Sequence, residues 1–93
     1  MIYSWLKNKI PHISFVKKRK DGDMLIICSD DLSLYYFNKT AAFFIENVDN
    51  SNTIDDIKKM YLEKFDVSNV EIENDLVEIV RDLQWKQILV LEG

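Results

Sequence analysis

The stretch YYFNKTAAFFIENVDNSNTIDDI, residues 35–57, contains the change from a strand pattern to a helix pattern that decides the fold. Its aromatic start favours a β-strand, and Asn38 can cap a helix because its side-chain oxygen accepts a bond from a free backbone N–H. Apolar residues then recur at helical spacing up to Val48. After the polar segment DNSN, Thr53 with Asp56 three residues later predicts the start of a second helix through a capping box.

A long third helix is predicted on the C-terminal side of this stretch. The second helix is expected to end near Asp66, and Ser68 with Glu71 repeats the start signal in its S-x-x-E form. Apolar residues at spacings of four, three and four then form one stripe of a helix that reaches Trp85, before the chain finishes in ILVL, a predicted terminal strand. The stripe comprises Ile72, Leu76, Ile79 and Leu83.

Three short strands are predicted on the N-terminal side. Residues 13–16 and 24–28 are apolar runs separated by KKRKDGD, whose Asp-Gly pair is a reversal signal, so the basic residues 17–20 are placed in a hairpin turn. Residues 32–37 form the third strand, antiparallel to the second. The sequence therefore predicts an α+β fold, in which an N-terminal three-stranded antiparallel sheet is followed by a three-helix bundle in a winged-helix-like order.

Length, charge and composition restrict the class of protein. Ninety-three residues fit one domain, 1–93, in which residues 1–12 read as an N-terminal extension. A net charge of -4 opposes binding to nucleic acid. The single Cys28 cannot form an internal disulfide, and neither a secretory signal nor an apolar run of membrane-spanning length is present, so no membrane association and a cytoplasmic location are expected.

No combination of residues predicts catalysis, a cofactor or a metal site. His12 is the only histidine, and Cys28 has no second cysteine at metal or redox spacing. Two glycines are too few for a phosphate-binding loop. Asp55 and Asp56 lie in the first turn of a predicted helix, where carboxylates meet the positive helix end favourably. Enzymatic activity is therefore not expected.

The central stretch resembles the signature of the PqqD-like family, which joins an apolar residue and Asn to Thr with small residues, an apolar helix and a turn before Thr. Asn50 replaces the glycine of that turn but also tolerates positive φ, and Lys86 and Gln87 lie near the place of a second family glycine. The matching positions are Phe37, Asn38, Thr40, Ala41, Phe44, Ile45, Val48 and residues 49–53, followed by Phe65, Asp66, Val70, Asp75, Leu76, Leu83, Ile88, Leu89 and Val90.

The resemblance implies a recognition protein for ribosomally made, post-translationally modified peptides. Such proteins bind the leader of a precursor peptide and present its core to a maturation enzyme, commonly a radical SAM protein or another modifying enzyme. In the family, the leader adds as a strand beside the third strand and the third helix, which is recognition by β-augmentation. The implied partners are the precursor peptide and the enzyme, without nucleic acid; an exposed edge strand also leaves a homodimer open.

Strand and helix geometry select the predicted peptide-binding residues. The third predicted strand presents alternate side chains on two faces. On the third predicted helix, one flank of the apolar stripe is expected to line the groove, where Glu73 attracts a Lys or Arg of the leader. The predicted residues are Leu32, Ser33, Leu34, Tyr35, Tyr36 and Phe37 on the strand, with Glu73, Val77, Val80, Arg81 and Gln84 on the helix.

A winged-helix DNA-binding transcription regulator is the alternative reading of the element order. Its third helix would have to enter the major groove of a polyanion. The exposed positions of that helix are mostly acidic, however, which opposes this reading. A recognition domain cut from a larger enzyme is a third interpretation. The charged residues in question are Glu71, Glu73, Asp75, Glu78 and Asp82, against Arg81 and Lys86.

Overall fold

The computed structural model describes residues 2–15 and 17–93. It confirms a mixed α+β fold with a three-stranded antiparallel sheet. The third predicted strand corresponds to β4 and the third predicted helix to α4. In chain order the elements are α1 Ile2–Leu6, β1 Ile10–Ile13, β2 Lys17–Asp21, β3 Met24–Cys28, β4 Leu34–Phe37, α2 Lys39–Glu46, α3 Ile54–Lys64, α4 Asn69–Trp85 and β5 Leu89–Glu92.

The strands form two antiparallel sheets, and the larger one is not at the N-terminus. β3 lies between β2 and β4 in the larger sheet, whereas β1 pairs with β5 in the smaller one. Tyr3, Leu6 and Pro11 are buried, so α1 and β1 contribute side chains to the interior. The N-terminal residues assigned to an extension thus pack against the rest of the chain.

The first predicted strand, residues 13–16, is wrong in position. Ile13 ends β1, residue 16 lies outside the described residues, and the basic segment predicted as a turn forms β2. Asp21 pairs with Met24, which leaves only Gly22 and Asp23 in the turn, and Gly22 has φ 62°. Glycine suits this two-residue turn because its backbone enters the left-handed region without steric cost. β2 tolerates its charges because all of its residues are exposed at a sheet edge.

Side-chain caps begin the three longer helices at the predicted residues. Asn38 caps α2, Thr53 caps α3 and Ser68 caps α4, and the last two complete reciprocal capping boxes. α2 and α3 end slightly earlier than predicted, at Glu46 and Lys64. The starts were predictable because a cap bonds to a backbone group only a few residues away.

The main core lies between the larger sheet and the helices. Tyr61 of α3 is buried there, and its hydroxyl donates a hydrogen bond to the carbonyl oxygen of Thr40 at the start of α2. Its ring meets Phe43 edge-on, with 4.6 Å between the ring centres. Burial raises the pKa of Tyr61 well above its ordinary value. The side chains with the least exposure include Leu25, Ile27, Phe44, Ile54, Ile57, Ile72, Leu76, Val80, Leu83 and Ile88.

α4 ends in a Schellman motif whose left-handed residue is Gln87. The N–H of Gln87 donates to the carbonyl oxygen of Gln84 at 3.0 Å, and that of Ile88 donates to Leu83 at 3.1 Å. Gln87 has φ 61°, the conformation in which glycine is favoured because an L side chain crowds the backbone.

Replacing this residue by glycine should stabilise the protein. Gln87→Gly is expected to raise the free energy of unfolding by about 1 kcal/mol, since it removes the strain of a left-handed L residue. Urea unfolding followed by circular dichroism measures the change. Gln84→Gly, at an exposed position inside α4, is the matched control and should lower the free energy by about 1 kcal/mol. Equal effects of the two substitutions would contradict the assignment.

His12 connects three separate parts of the chain. Its Nδ1 lies 2.8 Å from Oδ1 of Asn50, and its Nε2 lies 2.6 Å from Oε1 of Glu92 on β5. Asn50 has φ 69°, so it adopts the positive φ expected of a residue in place of the family's turn glycine. The hydrogen bond to Asn50, followed by that to Glu92, raises the pKa of His12 above its ordinary value.

The stability of the protein should therefore depend on pH through His12. Because the folded pKa exceeds the unfolded value of about 6.5, the contribution is complete below that value and is lost as pH rises through the folded pKa. Urea unfolding from about pH 5 to about pH 9 should show this decline, and His12→Gln should remove it. An NMR titration midpoint of His12 at or below the unfolded value would contradict the expectation; Glu92→Gln should lower the midpoint.

Candidate functional site

β4 is an edge strand with one unpaired side among the described residues. It pairs with β3 alone, in antiparallel register. The carbonyl oxygen of Ser33 accepts a hydrogen bond from the N–H of Ser29 at 2.9 Å, so the backbone carbonyl of Ser33 points toward the β3 side. Alternation along the strand then directs the backbone groups of Tyr35 to β3 and those of Leu34 and Tyr36 away from it. Leu34 and Tyr36 can therefore bond to another strand.

The opposite edge of the same sheet differs in chemistry. β2 has the sequence KKRKD, and every residue in it is exposed. A row of charged side chains discourages the pairing of a further strand. β4 has the sequence LYYF and carries no charge. Of the two edges, β4 is the one suited to accept another strand.

The side chains of β4 separate into two faces. Phe37 is buried toward the helices, and Tyr35 is partly buried against the core. Leu34 and Tyr36 lie on the outer face and are 57% and 61% exposed. Leu32 precedes the strand in a loop, with φ 67° and its N–H bonded to Ser29, so the predicted strand began two residues too early.

The end of α4 and its C-cap residue, Lys86, lie near the inner face of β4. The Nζ atom of Lys86 lies 5.5 Å from the ring centre of Tyr35 and 5.9 Å from that of Phe37. The same atom lies 2.5 Å from Oδ1 of Asp82. About two to three helical turns before Lys86, Asp75 and Ile79 share a depression with Asn38, which directly follows β4. Lys86 thus lies beside Tyr35 and Phe37, and Asp75 and Ile79 lie beside Asn38; the surface between these two places is called the β4–α4 groove.

The predicted residues of α4 lie on its other flank. Glu73, Val77 and Arg81 line a depression together with Ile2 and Tyr3 of α1. The periodicity located the buried stripe, but both flanks adjoin that stripe at equivalent spacings, and only the packing of α4 decides which one faces β4.

Val80 and Gln84 differ from each other in exposure. Val80 has 0% exposure and belongs to the core, so its side chain has no surface to offer a ligand. Gln84 is exposed near the end of α4. The residues on the side of α4 near Asn38 and β4 were not among the predicted ones, although their spacing of four, three and four is a helical signal that includes the C-cap: Asp75, Ile79, Asp82 and Lys86.

The α1 side of α4 is held by polar contacts within the protein. Tyr3 donates a hydrogen bond to Oδ1 of Asp55 at 3.0 Å, and the Nζ atom of Lys58 lies 3.1 Å from Glu73 and 3.5 Å from Asp55. Burial, followed by the bond to Asp55, raises the pKa of Tyr3 well above its ordinary value. Glu73 also accepts a bond from Asn69 at 3.3 Å. These groups already satisfy one another, whereas the outward backbone groups of Leu34 and Tyr36 have no strand partner in the described chain.

Neither a metal centre nor a DNA-reading surface is favoured. Within residues 2–15 and 17–93, no group of three His, Cys, Asp or Glu side chains is arranged to hold a metal ion. No helix in that part of the chain has the length and apolarity to cross a membrane. α4 exposes Glu71, Asp75, Glu78 and Asp82, and a helix of this charge repels a polyanion.

The fold and the groove define a small α+β protein with an apolar strand edge open beside a helix. The family model for PqqD, coenzyme PQQ synthesis protein D, matches residues 29–89, well over half of the chain, and this chain belongs to that family. The match includes all of β4 and α4. Neither a curated protein nor a solved structure matches the chain. Members of this family are non-catalytic, peptide-binding accessory proteins in the maturation of ribosomally made peptides.

Proposed function

We propose that the protein binds the leader of a precursor peptide as an additional strand on β4. The core of the precursor is then presented to a separate maturation enzyme, a radical SAM protein or another peptide-modifying enzyme. One observation carries the proposal: β4 has an uncharged, unpaired edge directly beside the groove formed with α4. An extended peptide needs both a row of backbone partners and pockets for its side chains.

The backbone of β4 supplies the first of these requirements. Leu34 and Tyr36 offer two N–H donors and two C=O acceptors toward the open side. Main-chain hydrogen bonds of this kind bind any extended peptide, whatever its sequence. The charged β2 edge does not compete, because its exposed Lys and Arg residues oppose strand pairing.

The side chains beside β4 supply selectivity. Residues of an added strand alternate, so every second one points into the β4–α4 groove and the others lie beside Leu34 and Tyr36. Tyr35 and Ile79 give the groove partly buried apolar walls, and the ammonium group of Lys86 lies over the ring of Tyr35. Apolar leader residues would therefore be desolvated in the groove. In this proposal, Ile79 and Lys86 line the groove instead of Glu73 and Val77, which the sequence analysis had placed there.

A homodimer formed by pairing two β4 strands would use the same edge as the leader. Pairing of two β4 strands uses the outward backbone groups of Leu34 and Tyr36 in each copy. Leader binding and a homodimer formed through β4 would thus exclude each other.

Proline at one outward position tests strand addition. Tyr36→Pro removes an N–H that points away from β3, so the β3–β4 ladder is kept while one bond to the leader is lost. Tyr36→Ala is the matched control, since it removes the same side chain but retains the N–H. Affinity for a bound peptide should be about tenfold lower in Tyr36→Pro than in Tyr36→Ala.

The probe is a peptide selected from a randomised library of about twelve residues, long enough to cover β4 and both ends of the groove. Isothermal calorimetry measures its affinity, and amide-resolved NMR of the labelled protein identifies its site. Shifts confined to β4 and the facing side of α4 are expected. Equal affinities of the two variants, or shifts of α4 on addition of duplex DNA but not of any selected peptide, would overturn the proposal.

A further inference from the structure

A depression of about 280 Å³ lies at the Phe37 end of β4. Because Asn38 follows Phe37 directly, a strand bound along β4 that continues past this end passes over the depression. Its chemistry differs from that of the Tyr35 end of the groove, where Lys86 lies over the aromatic ring. The residues that line the depression are Asn38, Thr40, Ala41, Asp75, Glu78 and Ile79.

The lining separates into an apolar base and a charged rim. Ala41 and Ile79 are partly buried and pack against the core. Asp75 and Glu78 are exposed on α4, three residues apart, so their carboxylates lie on neighbouring positions of one helix surface. Glu78 stands between the two flanks of α4, since it also lines the depression beside α1. An apolar surface bounded by two negative charges matches a side chain with an aliphatic stem and a cationic end.

The two carboxylates have no cation of their own. Among residues 2–15 and 17–93, no Lys or Arg forms an ion pair with Asp75 or Glu78. The neighbouring acids of α4 differ in this respect, since Glu73 is paired with Lys58 and Asp82 with Lys86.

Two other polar atoms of the depression already have partners. The side-chain oxygen of Asn38 accepts a bond from the N–H of Ala41 at 3.0 Å. The carbonyl oxygen of Thr40 accepts the hydroxyl of Tyr61. Asp75 and Glu78 are therefore the charged groups that are left to bind a ligand at this end of the groove.

We infer that this depression is the pocket for a lysine or arginine side chain of the bound leader. The inference rests on the proposed strand addition and adds the class of leader that the site selects. The aliphatic stem lies on Ile79 and Ala41, and the cationic head lies between Asp75 and Glu78. An arginine can bond to both carboxylates at once because its guanidinium carries five N–H donors.

The position of the basic residue in the leader depends on whether the leader runs antiparallel or parallel to β4. Asp75 lies near Asn38, whereas Lys86 lies near Tyr35, so α4 and β4 run in opposite directions along the groove. In a leader antiparallel to β4, the basic residue is therefore on the N-terminal side of the residue that faces Tyr35. A parallel leader has the reverse order. NMR contacts between leader residues and β4 residues distinguish the two orientations.

The first experiment starts from a peptide that was selected on the wild-type protein and that shifts the NMR signals of the β4 amides. Replacing its basic residue at the Phe37 end by methionine should lower the affinity about tenfold, and the double variant Asp75→Asn, Glu78→Gln should lower it equally. Combining the two changes should lower the affinity no further than either change alone, because both remove the same contact. Glu63→Gln, at an exposed carboxylate on α3, is the matched control and should leave the affinity unchanged.

The second experiment repeats the selection on Glu78→Lys. Peptides that carry Asp or Glu at the Phe37 end should replace those that carry Lys or Arg. Selected peptides that shift the β4 amides without any charge preference at this end would overturn the pocket and leave strand addition standing. If no selected peptide shifts the β4 amides of the folded protein, strand addition and the pocket both fail. Unchanged circular dichroism confirms that each variant is folded.

Discussion

The alternation of side chains along β4 is the constraint on which the proposed recognition surface depends. Phe37 is buried and Tyr35 is partly buried on the inner face, whereas Leu34 and Tyr36 are exposed. A shift of one residue against β3 would expose Phe37 and bury its exposed neighbour, so the register cannot slip. The burial of Phe37 thereby holds the free N–H and C=O groups of Leu34 and Tyr36 in defined positions at the open edge.

α4 has two flanks with different roles because different elements pack against them. On one flank, α1 contributes Tyr3 to a set of hydrogen bonds and ion pairs with Asp55, Lys58 and Glu73. On the other, the strand beside the helix has no further partner in the described chain. α1 and β1 lie outside the residues that match the family. This N-terminal part packs against one flank of α4, and no described strand pairs with the outer edge of β4.

Charge is distributed so that the two ends of the groove differ. Lys86 is held at the Tyr35 end by its ion pair with Asp82, while Asp75 and Glu78 remain without a cation at the Phe37 end. The backbone of β2 lies two strands away from β4, about 10 Å, although Lys17 and Arg19 share a depression with Leu34 and Tyr36 on the outer face of the sheet. The proposed selection of charge rests on this local difference, since the chain as a whole carries a net charge of only -4.

The sequence by itself determined the features that depend on neighbours a few residues apart. The caps at Asn38, Thr53 and Ser68 bond within one helical turn, so their residue types were sufficient evidence. Tertiary structure alone decided that Ile13 pairs with β5 from the far end of the chain, and that a charged segment forms β2. It also decided which flank of α4 faces β4, because helical periodicity specifies a buried stripe but not the element packed on either side of it.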